Sequence, residues 1–152
     1  MTRKHKHSAL EIMREKTTAQ LRNELHADSH EEYKIHCSIV EALERFKRPG
    51  VVSWHTENQR KRSKPQAARA KAMGLLAGVP DLIISTPESA TRPARMIFME
   101  VKAKRGRLSP EQEAFMRAMT NNGHICRVVR SLEDAMAVFT SYSVIRPARI
   151  AA

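Results

Sequence analysis

The sequence predicts an α/β domain, a mixed four-stranded sheet flanked by helices. Three observations carry this expectation. Four short apolar runs, VVSWH, PDLIIS, RMIFMEVK and HICRVVR, are spread along the chain with helix-like segments among them. The second and third runs are joined by TPESATRPAR, which has the composition of a hairpin loop and so predicts an antiparallel pair. The third and fourth are separated by a helix-length segment, SPEQEAFMRAMTNN, which predicts a right-handed crossover between parallel strands. A length of 152 residues suits one domain with a single core.

Residues 8 to 26 read as a first helix with a thin apolar stripe, Leu10, Met13, Leu21 and Leu25, after a capping-box pair of Ser8 and Glu11. A stronger helix follows in SHEEYKIHCSIVEALERFKRPG. Ser29 is its expected N-cap with Glu32 three residues on, Ile35, Ile39, Leu43 and Phe46 share one face, and Pro49 and Gly50 end it. The strand VVSWH comes next, with Trp54 expected in the core. TENQRKRSKPQ reads as a polar, basic loop, and AARAKAMGLLAG as a helix that stops near Gly74 to Gly78. PDLIIS is a strand that tolerates Pro80 at its start. RMIFMEVK is the next, and Ser109 and Pro110 open the helix after it. HICRVVR is the last strand. Ser131 caps the last helix, SLEDAMAVFTSY, with Glu133 and Asp134 near its positive end. The tail VIRPARIAA has no periodicity and is expected to be loose.

Composition bounds the function. Lys and Arg exceed Asp and Glu by 27 to 16, a net charge of +11, and a soluble protein this basic usually meets a polyanion. The charge is clustered in RKRSK at 60 to 64 and KAKRGR at 102 to 107. No apolar run is long enough to span a bilayer, and the basic start MTRKHKHSALEIMREK lacks the apolar segment of a secretory signal. A cytoplasmic protein with no membrane partner is expected. Cys37 and Cys126 lie outside any CxxC or His-rich spacing, which disfavours structural zinc and leaves two reduced, buried thiols as the expectation. The methionines read mostly as core filling.

Three ionisable residues interrupt the strands. Asp81 opens PDLIIS, and Glu100 and Lys102 close RMIFMEVK on one face, since side chains alternate along a strand. Ile97, Met99 and Val101 form the opposite, wholly apolar face. An antiparallel hairpin puts the start of one strand beside the end of the next. Asp81 therefore meets Glu100 across 19 positions of sequence, with Lys102 close by. Charge spacing alone admits two arrangements equally. Two carboxylates can be relieved by a hard divalent cation, or Lys102 can pair with Glu100 or Asp81 without metal. The histidines show no H-x-x-H or H-E-x-x-H zinc spacing. His5 and His7 read as solvated, and His26, His30 and His124 as residues at element ends. His36, near Glu32, and His55, ending a strand, are the two of interest.

The words GVPD, a hairpin-length gap and MEVKAKRGRLSPEQ resemble the PD-(D/E)xK nuclease superfamily, and more closely its VRR-NUC family of virus-type replication and repair nucleases. Asp81 matches the aspartate after G-x-P, Glu100-Val101-Lys102 matches E-x-K, and Gln112 in LSPEQ matches the glutamine of the following helix. Glu32 matches the glutamate of the first core helix. There the family often shows E-x-x-I-Q, whereas EYKIH here puts His36 at the glutamine. WHTENQRKRS resembles the family's connector, with Asn58 and basic residues ahead of a helix. The likeness runs from about residue 30 to 140.

The resemblance implies a restriction-endonuclease-like core and Mg²⁺- or Mn²⁺-dependent cleavage of DNA. In that reading Asp81, Glu100, the Val101 carbonyl and Glu32 hold the metal, Lys102 serves the attacking water or the developing charge, and Gln112 supports them. Asn58, Arg60, Lys61, Arg62, Lys64, Lys104, Arg105 and Arg107 are the expected nucleic-acid contacts. It also implies branched DNA such as a Holliday junction as a substrate beside duplex, a possible homodimer, and a phage or mobile-element source. The expected organisation is a basic arm at 1–28, a nuclease domain at 29–142 and a tail at 143–152. A non-catalytic basic DNA-binding module on the same fold is the alternative.

Overall fold

The computed structural model of the chain describes residues 18–56 and 63–146, apart from the side chains of Thr18, Ala19 and Leu21. Among them are four helices, α1 (Thr18–Phe46), α2 (Lys64–Ala72), α3 (Pro110–Asn121) and α4 (Leu132–Ser141), and four strands, β1 (Val52–His55), β2 (Leu82–Thr86), β3 (Arg95–Val101) and β4 (Ile125–Val129). The sheet order is β1-β2-β3-β4. β1 and β2 are antiparallel, as are β2 and β3, while β3 and β4 are parallel with α3 as the crossover. The expected mixed sheet with flanking helices is the one observed.

Each sheet face has its own core. On one face Leu82, Ile84, Ile97, Met99 and Val101 meet Ile39 and Leu43 of α1, and Ala135 and Phe139 of α4. Phe139 is fully buried, a placement that contributes about 1.5–3 kcal/mol. On the other face Ile83 and Phe98 meet Phe115 of α3, with the Phe98 and Phe115 rings edge-on at 5.5 Å. Ser109 caps α3, accepting from the Gln112 amide while the Gln112 side chain accepts from the Ser109 amide. Ser131 caps α4 by a single side-chain bond, accepting from the Asp134 amide.

Several expectations change. α1 runs unbroken through Ser29, whose hydroxyl donates to the His26 carbonyl three residues back. Ser29 is thus a helix-interior residue, not an N-cap, and His26 and His30 are interior too. Residues 8 to 17 lie outside the described residues. α2 begins at Lys64, with Ser63 and Gln66 forming a capping box, so SKPQ belongs to the helix start and not to a loop. Trp54 is 43 % exposed and not core: β1 is an edge strand, and Trp54 projects on the Ile83 side. Cys37 is exposed and Cys126 half-buried, and both are free, so neither is the buried thiol expected. Met73 is exposed rather than core filling. Before residue 147 the tail is docked, with Val144 fully buried and the Arg146 amide donating to the Phe46 carbonyl. No helix among the described residues is long and apolar enough to cross a membrane.

Candidate active site

The site forms where β2 begins and β3 ends. The register pairs Leu82 with Met99, which sets Asp81 opposite Glu100 as the hairpin argument requires. Asp81 is anchored from two directions. Its carbonyl accepts from the Thr56 amide at 3.0 Å and from His55 Nδ1 at 2.9 Å, while its Oδ2 accepts from the Val101 amide at 3.2 Å. The end of β1 thereby fixes the backbone of the aspartate, and the end of β3 fixes its carboxylate.

Glu100 is fully buried, and Lys102 is only 8 % exposed. Lys102 Nζ lies 2.8 Å from Glu100 Oε1, and Gln112 Nε2 donates to the same oxygen. Glu100 Oε2 is buried with no hydrogen-bond partner. Burial, then repulsion from Asp81, pushes the Glu100 carboxyl from its ordinary value of 4.5 up to about 7, and Lys102 offsets only part of this. The Asp81 amide is close enough to pull the value down a little, yet it does not make a hydrogen bond to Oε2. A buried carboxylate oxygen left unmatched is costly. Here it sits beside a second carboxylate, and a hard divalent cation satisfies such a pair of oxygen ligands. The ion pair with Lys102 and an acid pair open to a cation are therefore compatible, because they use different oxygens of Glu100. Among the described residues no three His, Cys, Asp or Glu side chains form a ready-made metal cage. Mg²⁺ does not need one, since it keeps several waters and takes one or two carboxylates.

Glu32 reaches the site from α1, with Oε1 accepting from the Ala103 amide at 3.1 Å. Gln112 arrives as the third residue of α3, placed by the capping box that starts that helix. Gly78 explains the G-x-P-D spacing. It has φ +81°, and a Cβ there would lie 2.2 Å from the Glu111 carbonyl oxygen and 2.7 Å from the Gln112 amide. Only glycine lets the loop carrying Asp81 press against the start of α3.

The structure thus brings Asp81, Glu100, Val101, Lys102 and Gln112 together, while Glu32 is held nearby at the Ala103 amide and does not join Asp81 and Glu100 in a three-carboxylate cluster. Lys64, Lys104, Arg105 and Arg107 are exposed, and the turn of the last three is held by Arg130 Nη2 donating to the Gly106 carbonyl at 2.9 Å. Asn58, Arg60, Lys61 and Arg62 lie outside the described residues. Sequence reasoning singled out His36 and His55 without giving them a place. Their rings meet edge-on at 4.9 Å beside Asp81, in a groove of about 830 Å³. Burial, helped by His55 and opposed by Asp81, holds His36 below its ordinary value. Sequence reasoning missed that Tyr33 lines the same groove, together with Val40, whose side chain also packs against the core. Their i, i+3, i+4, i+7 spacing with His36 and Cys37 was the available signal.

This fold, with an acid pair and a lysine at one end of the sheet, defines a nuclease-type α/β domain. A family model of the VRR-NUC domain matches residues 30–133, and the chain belongs to the VRR-NUC family. A solved structure described as "VRR_NUC domain protein" is 21 % identical, with a TM-score of 0.57, covering 73 % of this chain and 86 % of that one. A second, described as "VRR_NUC domain", is 21 % identical with a TM-score of 0.48, covering 74 % and 97 %. No curated protein matches the chain.

Proposed function

We propose that the chain is a metal-dependent DNA endonuclease that hydrolyses phosphodiester bonds and selects branched DNA, such as a four-way junction, during replication, repair or recombination. The observation that carries the reading is the buried Glu100, with one oxygen held by Lys102 and Gln112 and the other unmatched beside Asp81. Asp81 and Glu100 hold Mg²⁺ or Mn²⁺ in this reading, with Glu32 and the Val101 carbonyl as further oxygen donors. The chemistry the cation supplies is Lewis acidity, which activates water and neutralises charge on the phosphate.

The chain's own residues do the rest. Lys102 positions the attacking water and offsets negative charge as the phosphate is attacked in line. Gln112 fixes the orientation of Glu100. Lys64, Lys104, Arg105 and Arg107 hold the backbone, and such contacts position DNA without reading its sequence. Recognition by shape is consistent with this, and a homodimer would present two cleavage sites to a two-fold junction.

The alternative, a basic module that binds DNA without cutting, is disfavoured by the same carboxylate. Removing an acid from water costs several kcal/mol, and a second acid beside it repels the phosphates such a module would bind. Cleavage of duplex, single-stranded, flapped and four-way-junction DNA with Mg²⁺, Mn²⁺ or EDTA tests the reading. The expected result is metal-dependent cutting that is fastest on the junction. Tight binding of every substrate without cleavage would establish the module instead.

A further inference from the structure

The groove beside Asp81 has the wrong chemistry for a phosphate. Its α1 wall carries Tyr33, His36, Cys37 and Val40, one helical stripe that adjoins the Ile35, Ile39 and Leu43 stripe, with Val40 also packed against the core. His55 forms the opposite side. Three carboxylates, Glu32, Glu41 and Asp81, also line it, and they repel an anionic backbone. A neutral, flat ring suits the aromatic and apolar surface that remains. Tyr33 is 66 % exposed at the groove, and its hydroxyl meets the Cys37 side chain, which leaves the ring to stack. Continuity identifies the occupant, because Asp81 and Val101 belong both to the groove and to the acid site.

We propose that this groove takes an unpaired nucleobase from the DNA strand whose phosphate lies at Asp81 and Glu100, stacked on Tyr33 and set against the imidazoles of His36 and His55. The inference rests on the nuclease reading for the identity of its ligand. A nucleotide held by its phosphate at the acid pair has its base within one sugar's length of the groove. Extruding a base from an intact duplex costs at least as much as one aromatic stacking contact returns. The groove is therefore filled by bases that are already unpaired, as at a branch point, a flap or a bulge. It supplies a reason for structure selectivity that needs no reading of sequence.

The test is equilibrium binding with Ca²⁺ in place of Mg²⁺, a hard cation that also takes carboxylate oxygens, read before any strand is cut. Two duplexes are compared, one with a single bulged adenine and one with a bulged abasic residue in its place. The wild type is expected to bind the adenine bulge about tenfold more tightly. Tyr33→Ala is expected to bring that ratio to near one while leaving affinity for the abasic bulge unchanged, and Tyr33→Phe to keep the wild-type ratio. Tyr33 is an exposed helix residue, so alanine does not threaten folding. A wild-type ratio near one overturns the proposal. So does a ratio that survives Tyr33→Ala, or one lost instead in Trp54→Ala, an exposed aromatic of β1. If Tyr33→Ala leaves the ratio intact and lowers the mass by sedimentation, a second copy covers the groove and the proposal falls. Cleavage assayed separately with Mg²⁺ keeps the two readings apart. Cutting without base discrimination removes the groove and leaves the nuclease, while discrimination without cutting does the reverse.

Discussion

Glu100 is the residue on which the account turns. Its folded-state carboxyl titrates at about 7, above its ordinary 4.5. The folded chain therefore holds that proton more tightly than the unfolded one. The stability Glu100 contributes is fully present below about 4.5 and is lost as pH rises through about 7. In EDTA, carbon NMR of the Glu100 carboxyl is expected to show a midpoint near 7. Lys102→Met should move it higher, because the ammonium now holds it down, and Mg²⁺ should move it lower. A midpoint near 4.5 would contradict both the burial of this carboxyl and its repulsion from Asp81. The Asp81–Glu100 pairing was legible in the sequence because antiparallel register follows from a short hairpin. The buried, unmatched Oε2 was not, since it depends on Lys102 and Gln112 both choosing the other oxygen.

At the scale of elements, the site depends on how the loop before β2 meets the start of α3. Gly78 permits that contact. Alanine there carries the left-handed backbone cost of about 1–2 kcal/mol and a clash with the Glu111 backbone of about 1–3 kcal/mol. Gly74 has φ +87° but nothing within 4 Å of its Cβ position, so Gly74→Ala carries only the first cost. Urea unfolding is expected to show Gly78→Ala as clearly the more destabilised of the two, and equal losses would contradict the packing argument. Local rules located α3 and α4 well, because Ser109 and Ser131 cap them through side-chain bonds. The same rules misread Ser29, whose S-x-x-E pattern also fits a helix interior where the hydroxyl bonds backwards. The exposure of Trp54 was hidden for another reason. Which face of an edge strand a helix covers is a tertiary fact, and VVSWH alone does not contain it.

At the scale of the molecule, a net charge of +11 governs association with DNA more than the chemistry of cutting. The exposed turn Lys104, Arg105 and Arg107 follows the strand that ends at the acid pair, and in the proposed reading it holds the backbone beside the cut. Replacing all three with glutamine should lessen the salt dependence of duplex binding by about 0.9 per contact in log–log slope, roughly 2.7 in all. Fluorescence anisotropy over a range of salt checks this, and an unchanged slope would place DNA elsewhere on the surface. The basic character was readable from composition, whereas the groove beside Asp81 was not, because it joins residues of α1, the end of β1, Asp81 and the end of β3 that are far apart in sequence.

The central claim is that Asp81, Glu100 and Lys102 form a cleavage centre and not merely a buried ion pair. The most direct measurement compares wild type and Lys102→Met for binding and cleavage of a four-way junction, with Mg²⁺ and with EDTA. The account predicts metal-dependent cutting by the wild type, and cutting about 100-fold slower or worse by Lys102→Met with DNA affinity retained. Cleavage by Lys102→Met at the wild-type rate, or wild-type cleavage that persists in EDTA, would contradict it.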